Sequence, residues 1–303
     1  MKNLLYLALA IIAVSCGRGG SSSNHTPDST ANLKNKETCS YMAVKSNIEN
    51  IKNIGIEGIA ISSKQISACI NVFTEAERDS VFTLLYKNAH MAAERFNDSL
   101  YAKSYKNISS KLARDVKDAE TNAFKLRLDS CGIMLHLSDG MYTAELNPSF
   151  FQHLFGNHIS EPFQLYINQQ TIDKKQGYIN NGDLIIRFEQ LYERIVQWEN
   201  FMDKYPDSPF INDIKNDYYD YLSVLMVGTT NTPTFDYDLN RLKDELIKLY
   251  EKISKKTDGK NSTRAISKYY NLLRARNFKK PDGDLYKYLK DNGFNPMLGM
   301  KNK

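Results

Sequence analysis

Between residues 183 and 276 the apolar residues recur every three or four positions, a period that fits a helix with one buried face. Leu184, Phe188, Leu191, Ile195, Trp198 and Met202 make the first stripe, and Ile211, Ile214, Tyr218, Leu222 and Leu225 the second. Leu239, Leu242, Leu246, Leu249 and Ile253 make a third, and Ile266, Tyr269 and Leu273 a fourth. The breaks have chemical causes. Pro206 and Pro209 lack the N–H that a helix interior needs, and Gly228 suits a helix end. The spacing predicts Asp183 as the cap of the first helix and Ser208–Pro209 as the start of the second. It also predicts a third helix through Leu239 and a fourth capped by Ser262. A short helix is expected over 285–289, ending at Gly293. The segment therefore reads as two successive helical hairpins.

Upstream, Thr74 and Glu77 form a capping box before a stripe at Val81, Leu84, Leu85, Ala89, Ala92 and Phe96. A second helix is expected over 109–128, with Leu112, Val116, Ala119 and Ala123 on one face. The period then changes, and 132–145 reads as a small β-hairpin closed by a Ser-Asp-Gly turn. Asn147-Pro148 ends it, and short helices are expected over 148–155 and 160–170. The expected fold class is mainly α. Its domains are an α-rich N-terminal domain with a β-hairpin over 41–180 and a helical-hairpin domain over 181–303.

The first sixteen residues concern export. Lys2 gives a basic start and residues 4–14 an uncharged apolar run of 11 residues. At 1.5 Å per residue that run reaches about 16 Å, roughly half the hydrocarbon core of a bilayer. It therefore reads as a signal peptide over 1–15. The stretch Ile12-Ala13-Val14-Ser15-Cys16 resembles the lipobox of bacterial lipoproteins, with Ala13 standing where Leu is commonest. The resemblance implies that the Cys16 thiol carries diacylglycerol, that the preceding peptide is removed, and that the new amine is acylated. The alternative is an ordinary cut after Ser15 that leaves Cys16 free. Residues 16–40, beginning Gly-Arg-Gly-Gly-Ser-Ser-Ser after the cysteine, are too polar to form a core and read as a flexible tether. Its 22 residues from 17 to 38 would span roughly 25 Å on average.

The join from Trp198 to Phe210 resembles the helix-to-helix turn of tetratricopeptide repeats in bacterial envelope lipoproteins. The chain as a whole resembles the lipoproteins of Bacteroidota. Two departures stand out: Asp213, Asn216 and Asp217 occupy positions where small residues let such helices approach, and the hairpins are spaced wider than 34 residues. The resemblance implies an α-hairpin array and protein binding. It implies no chemistry. Asp28-Ser29-Thr30 also matches the acceptor of Bacteroides-type O-glycosylation, as do the triplets at Ser80 and Ser99. Ser29, in the tether, is the most reachable, while the other two fall within an expected helix.

Motifs that carry chemistry are sparse. His-Glu-x-x-His, Gly-x-Ser-x-Gly, Ser-x-x-Lys and the phosphate-binding glycine loops do not occur. His153 and His158 are five apart, whereas a helical zinc pair needs four. Asp236-x-Asp238-x-Asn240 copies the start of a calcium loop, but Arg241 and Ile247 stand where Gly and Glu are needed. Those acids read instead as the start of a helix. No metal or other cofactor is expected. With Cys16 lipidated, Cys39, Cys69 and Cys131 leave room for one disulfide and one free thiol. Tyr218, Tyr219 and Tyr221 offer a stacking platform for sugars if they face solvent, and core packing if they do not.

Formal charge is uneven. Residues 241–303 carry 17 Lys and Arg against 7 Asp and Glu, or +10, while 16–240 carry −6. The basic end reads as a solvated helical face, with anionic lipid head groups as the other contact it suits. The expected function is a non-enzymatic protein-interaction scaffold, lipid-anchored to a membrane of the bacterial cell envelope. The outer membrane is favoured over the inner, with the folded part in the periplasm or at the cell surface. Its expected partners are that membrane and another envelope protein, and not nucleic acid. A glycan-binding accessory lipoprotein is the alternative, and a hydrolase ranks third.

Overall fold

Cys39, the first described residue, is disulfide-bonded to Cys69, 30 positions along, and this ties it to the end of the third helix. The computed structural model describes residues 39–102, 105–138 and 141–294. Cys16 and Ser29 lie outside the described residues. The described residues belong to one compact unit that begins at Cys39.

The order is α1 Tyr41–Glu49, α2 Ile51–Ile54, α3 Glu57–Cys69, α4 Glu75–Leu100, α5 Lys106–Ala113, α6 Ala119–Ser130, β1 Ile133–Ser138 and β2 Met141–Leu146. There follow α7 Pro148–Phe155, a 3-10 turn Gly156–His158, α8 Glu161–Gln176, β3 Ile179–Asn180, β4 Asp183–Leu184, α9 Phe188–Lys204 and α10 Ile211–Val227. β5 Phe235–Asp236, β6 Arg241–Leu242, α11 Asp244–Ser254, α12 Asn261–Arg274 and α13 Leu285–Asp291 complete it. The chain is mainly α with small two-stranded antiparallel sheets. α9 packs on α10 and α11 on α12, giving the two expected hairpins, and α12 also touches α9 and α10. Among the described residues no helix is long and apolar enough to cross a membrane.

Local chemistry explains the elements. The capping box at the start of α4 forms: Glu77 donates its N–H to the Thr74 hydroxyl at 3.3 Å, and its carboxylate accepts the Thr74 N–H at 2.8 Å. The stripe behind it is buried at Val81, Leu85, Ala89, Ala92 and Phe96. The β1–β2 ladder pairs Ile133 with Leu146 and His136 with Thr143. The outer edge of β2 is closed by side chains of α4. Asn97 donates to the Ala144 carbonyl at 2.9 Å and accepts its N–H at 2.6 Å, and the Tyr101 hydroxyl bonds the Tyr142 backbone. Those side chains satisfy groups that an edge strand would leave bare.

Several boundaries differ from expectation. The helix expected over 109–128 is two helices. Asp115 takes φ +50 between them, and Asp118 with Thr121 forms a second capping box that starts α6. Asp183 caps nothing: it pairs with Asn180 across an Asn181-Gly182 turn whose φ values, +48 and +81, are those of a tight hairpin. The helix begins at Phe188 instead. α10 starts at Ile211, because Pro209 and Phe210 belong to the turn. Leu239 is not on the third helix. Asp236 accepts the N–H groups of Asp238 and Leu239, each at 2.9 Å, and fixes the β5–β6 turn with Leu239 exposed. Ser262 is not a cap. It lies in the first turn of α12, fully buried, where the Glu199 carboxylate accepts its N–H and hydroxyl together with the Asn261 N–H. Gly228 ends α10 at φ +86, and a Cβ there would lie 2.5 Å from the Thr232 carbonyl oxygen.

Beneath α4, α8 and the α9–α10 turn lies an aromatic cluster. Phe210 stacks on Tyr166 with centroids 4.0 Å apart and rings 4° from parallel. Phe82 meets Phe155, Phe163 and Phe210 edge to face, and Tyr86 meets Phe151 and Tyr166 in the same manner. Offset and edge-on pairs of this kind contribute about 0.5–1.5 kcal/mol each beyond area burial.

Candidate binding cleft

That cluster forms the floor of a cleft. α4 and α10 stand either side of α8, and a cavity of about 460 Å³ opens between Thr83, Tyr86, Lys87, His90 and Met91 on one side and Pro209, Phe210, Asp213 and Asp217 on the other. Tyr166 and Gln170 of α8 lie between them. A second cavity of the same volume continues past Tyr86, His90 and Gln170 towards β2, reaching Asn97, Glu145 and Lys174. Helical spacing explains the lining. Tyr86 and His90 are one turn apart on α4, Tyr166 and Gln170 one turn apart on α8, and Asp213 and Asp217 one turn apart on α10.

The electrostatics of the cleft centre on Asp217. Its carboxylate accepts the Gln170 amide N–H at 2.9 Å. Burial, reinforced by Asp173, Asp220 and Asp213, lifts its pKa to about 7, and the Gln170 bond only partly opposes the rise. Burial also raises Tyr86 to about 12, against a bond shared with Tyr166 that lowers it. His90 lies 3.4 Å from Glu94. At the far end Lys174 pairs with Glu145, and burial lowers its pKa.

Below Asp217 the polar network continues inward. Asp173 meets the Arg194 Nε at 3.1 Å, accepts the Tyr221 hydroxyl at 2.9 Å and the Gln169 amide at 2.8 Å. Arg194 donates to Gln176 at 2.9 Å, and its guanidinium lies 5.9 Å from the Tyr221 ring centre. Burial raises the Asp173 pKa, with Arg194 acting against it. A buried pair with this many bonds holds α8, α9 and α10 in register.

The tyrosines at 218 and 221 do not form an open platform: both are buried, and only Tyr219 is half-exposed. Ser80 and Ser99 lie in α4 as expected, and the Ser80 hydroxyl bonds Tyr41 at 2.8 Å. Among the described residues Cys131 is a free, buried thiol. Among the described residues no group of three or more His, Cys, Asp or Glu is placed to hold a metal ion.

Sequence reasoning missed the cleft because its lining comes from positions 83–217 and has no motif spacing. One signal was present. Asp213 and Asp217 interrupt a helix at positions where a hairpin array would carry small residues. No known protein family, curated protein or solved structure matches this chain.

Proposed function

We propose that this chain is a lipid-anchored protein of the bacterial cell envelope and a non-enzymatic interaction module, held by Cys16 and reaching its partner through the tether. The observation that carries the reading is the cleft. Charged and hydrogen-bonding side chains from three helices converge on a cavity of about 460 Å³ beside stacked aromatic rings. Concave sites with a few placed polar groups are the usual form of a binding site. The partner is another envelope protein that lays a segment into the cleft. A glycan-binding role has less support, because two of the three tyrosines that would stack on sugars are core residues.

The test is site-specific photo-crosslinking of the full chain in cells, with a photoreactive residue in place of Met91, which lines the cleft, or of Ile61, exposed on α3 and outside it. A discrete protein adduct from position 91 and none from position 61 is the expected result. Equal or absent adducts would overturn the assignment of the cleft.

A further inference from the structure

The two walls of the cleft carry opposite charge. Asp213 and Asp217 project from α10, and Lys87 and His90 from α4, into the same cavity. No ion pair closes across it between these four side chains among the described residues. Between the charged groups the lining is largely apolar: the stacked Tyr166 and Phe210 rings and Met91, with the Gln170 amide beside them. Resting on the reading of the cleft as a binding site, we propose that it takes a dipolar ligand: an ammonium or guanidinium at Asp213 and Asp217, and a carboxylate at Lys87 and His90, joined by an apolar spacer.

Among the described residues neither wall finds an opposite charge across the cavity. Asp217, half-buried, and Asp213, exposed, stand one helical turn apart and repel each other when both ionise. A cation between them relieves that repulsion and replaces lost hydration. On the other wall, among the described residues, Lys87 has no ion-pair partner and His90 has only an exposed Glu94. A ligand that supplies both charges satisfies both walls at once, and the second contact is then intramolecular, which multiplies affinity. A simple cation or a simple anion satisfies only one wall.

Binding of the cationic end should also track the ionisation of Asp217. The groups that face this carboxyl are Asp213, Asp220 and Tyr221 on its own helix, Tyr166, Gln170 and Asp173 of α8, Tyr178 just after α8, and Tyr86 of α4, with Lys87 and His90 of α4 across the cavity. Burial and the neighbouring carboxylates keep Asp217 protonated to near neutrality. The cationic end should therefore bind more tightly at pH 8 than at pH 6.

Calorimetric titration of the full chain in detergent tests the proposal with three kinds of probe: propylammonium, propanoate, and ω-aminoalkanoates of four to eight carbons. One aminoalkanoate length should bind at least tenfold more tightly than either single-charge probe. Asp217→Asn should remove most of that advantage and leave the propanoate response unchanged. Lys87→Met should do the converse, leaving propylammonium unchanged. Thermal melts of both variants confirm folding. Equal, weak binding of all probes, or an aminoalkanoate affinity untouched by both variants, would overturn the dipolar assignment. If position 91 still yields its adduct in cells, the binding-site reading survives that result; if it yields none, both fall.

Discussion

Asp217→Asn should stabilise the protein at alkaline pH, an unusual outcome for a polar substitution in a cleft. Asp217 titrates near 7 when folded, against 3.8 for its ordinary value. Between those values the folded state holds a proton that the unfolded state has released, so stability falls as pH rises through this window. Below it both states are protonated and the contribution vanishes. Above about pH 7 the folded protein carries the full penalty. Roughly three pH units at 1.36 kcal/mol each bound it at about 4 kcal/mol. The carboxyl is partly open to water, which screens it, so about 2 kcal/mol is the reasonable expectation. Asparagine has the shape of the protonated acid and can still accept the Gln170 N–H. Denaturant melts of both proteins from pH 4 to pH 8 measure the difference directly. It should be near zero at pH 4 and favour the variant by about 2 kcal/mol at pH 8. Parallel curves, or a variant less stable at pH 8, would refute the account of a desolvated carboxyl.

Leu222→Ala should cost about 2–5 kcal/mol in denaturant melts, because a fully buried leucine of α10 leaves a cavity. Pro209→Ala, in the exposed turn, should stay within about 1 kcal/mol; the reverse order would contradict the hairpin packing. Glu199→Ala should cost about 3 kcal/mol, since it strands the Ser262 N–H and hydroxyl in the interior and removes the acceptor of the Asn261 N–H. Reducing the Cys39–Cys69 bond should lower stability by about 3–4 kcal/mol, the loop-closure value for a separation of 30 residues, read as a drop in melting temperature on adding reductant. Cys16→Ser should release the protein from membranes and abolish acyl labelling; an unchanged membrane fraction would count against lipidation.

The sequence made the long amphipathic helices legible because a 3.6-residue period over four or five turns has no competing reading. Val81 to Phe96 and Phe188 to Met202 are examples, and each buries its stripe. Short elements escaped for a different reason. The Asn181-Gly182 turn and the Asp236 turn each reverse the chain within a few residues, and apolar neighbours such as Leu184 and Leu239 extended the helical pattern across them. Asp115 broke an apparent helix by adopting a left-handed conformation that periodicity does not register. The cleft was less legible still. Tyr86, Gln170 and Asp217 are more than 40 residues apart from one to the next, and only the packing of α4, α8 and α10 brings them together. Counting left room for one disulfide and a free thiol, but that a disulfide forms, and between Cys39 and Cys69, required the fold.

Tether and cleft can be tested together in one measurement. With a photoreactive residue at position 91, crosslinking in intact cells is compared between the chain carrying Cys16 and the same chain with Cys16→Ser. The account predicts a discrete adduct from the first and a strong loss of that adduct from the second, because detachment removes the partner from reach. An adduct of equal yield from both, or none from either, would contradict it.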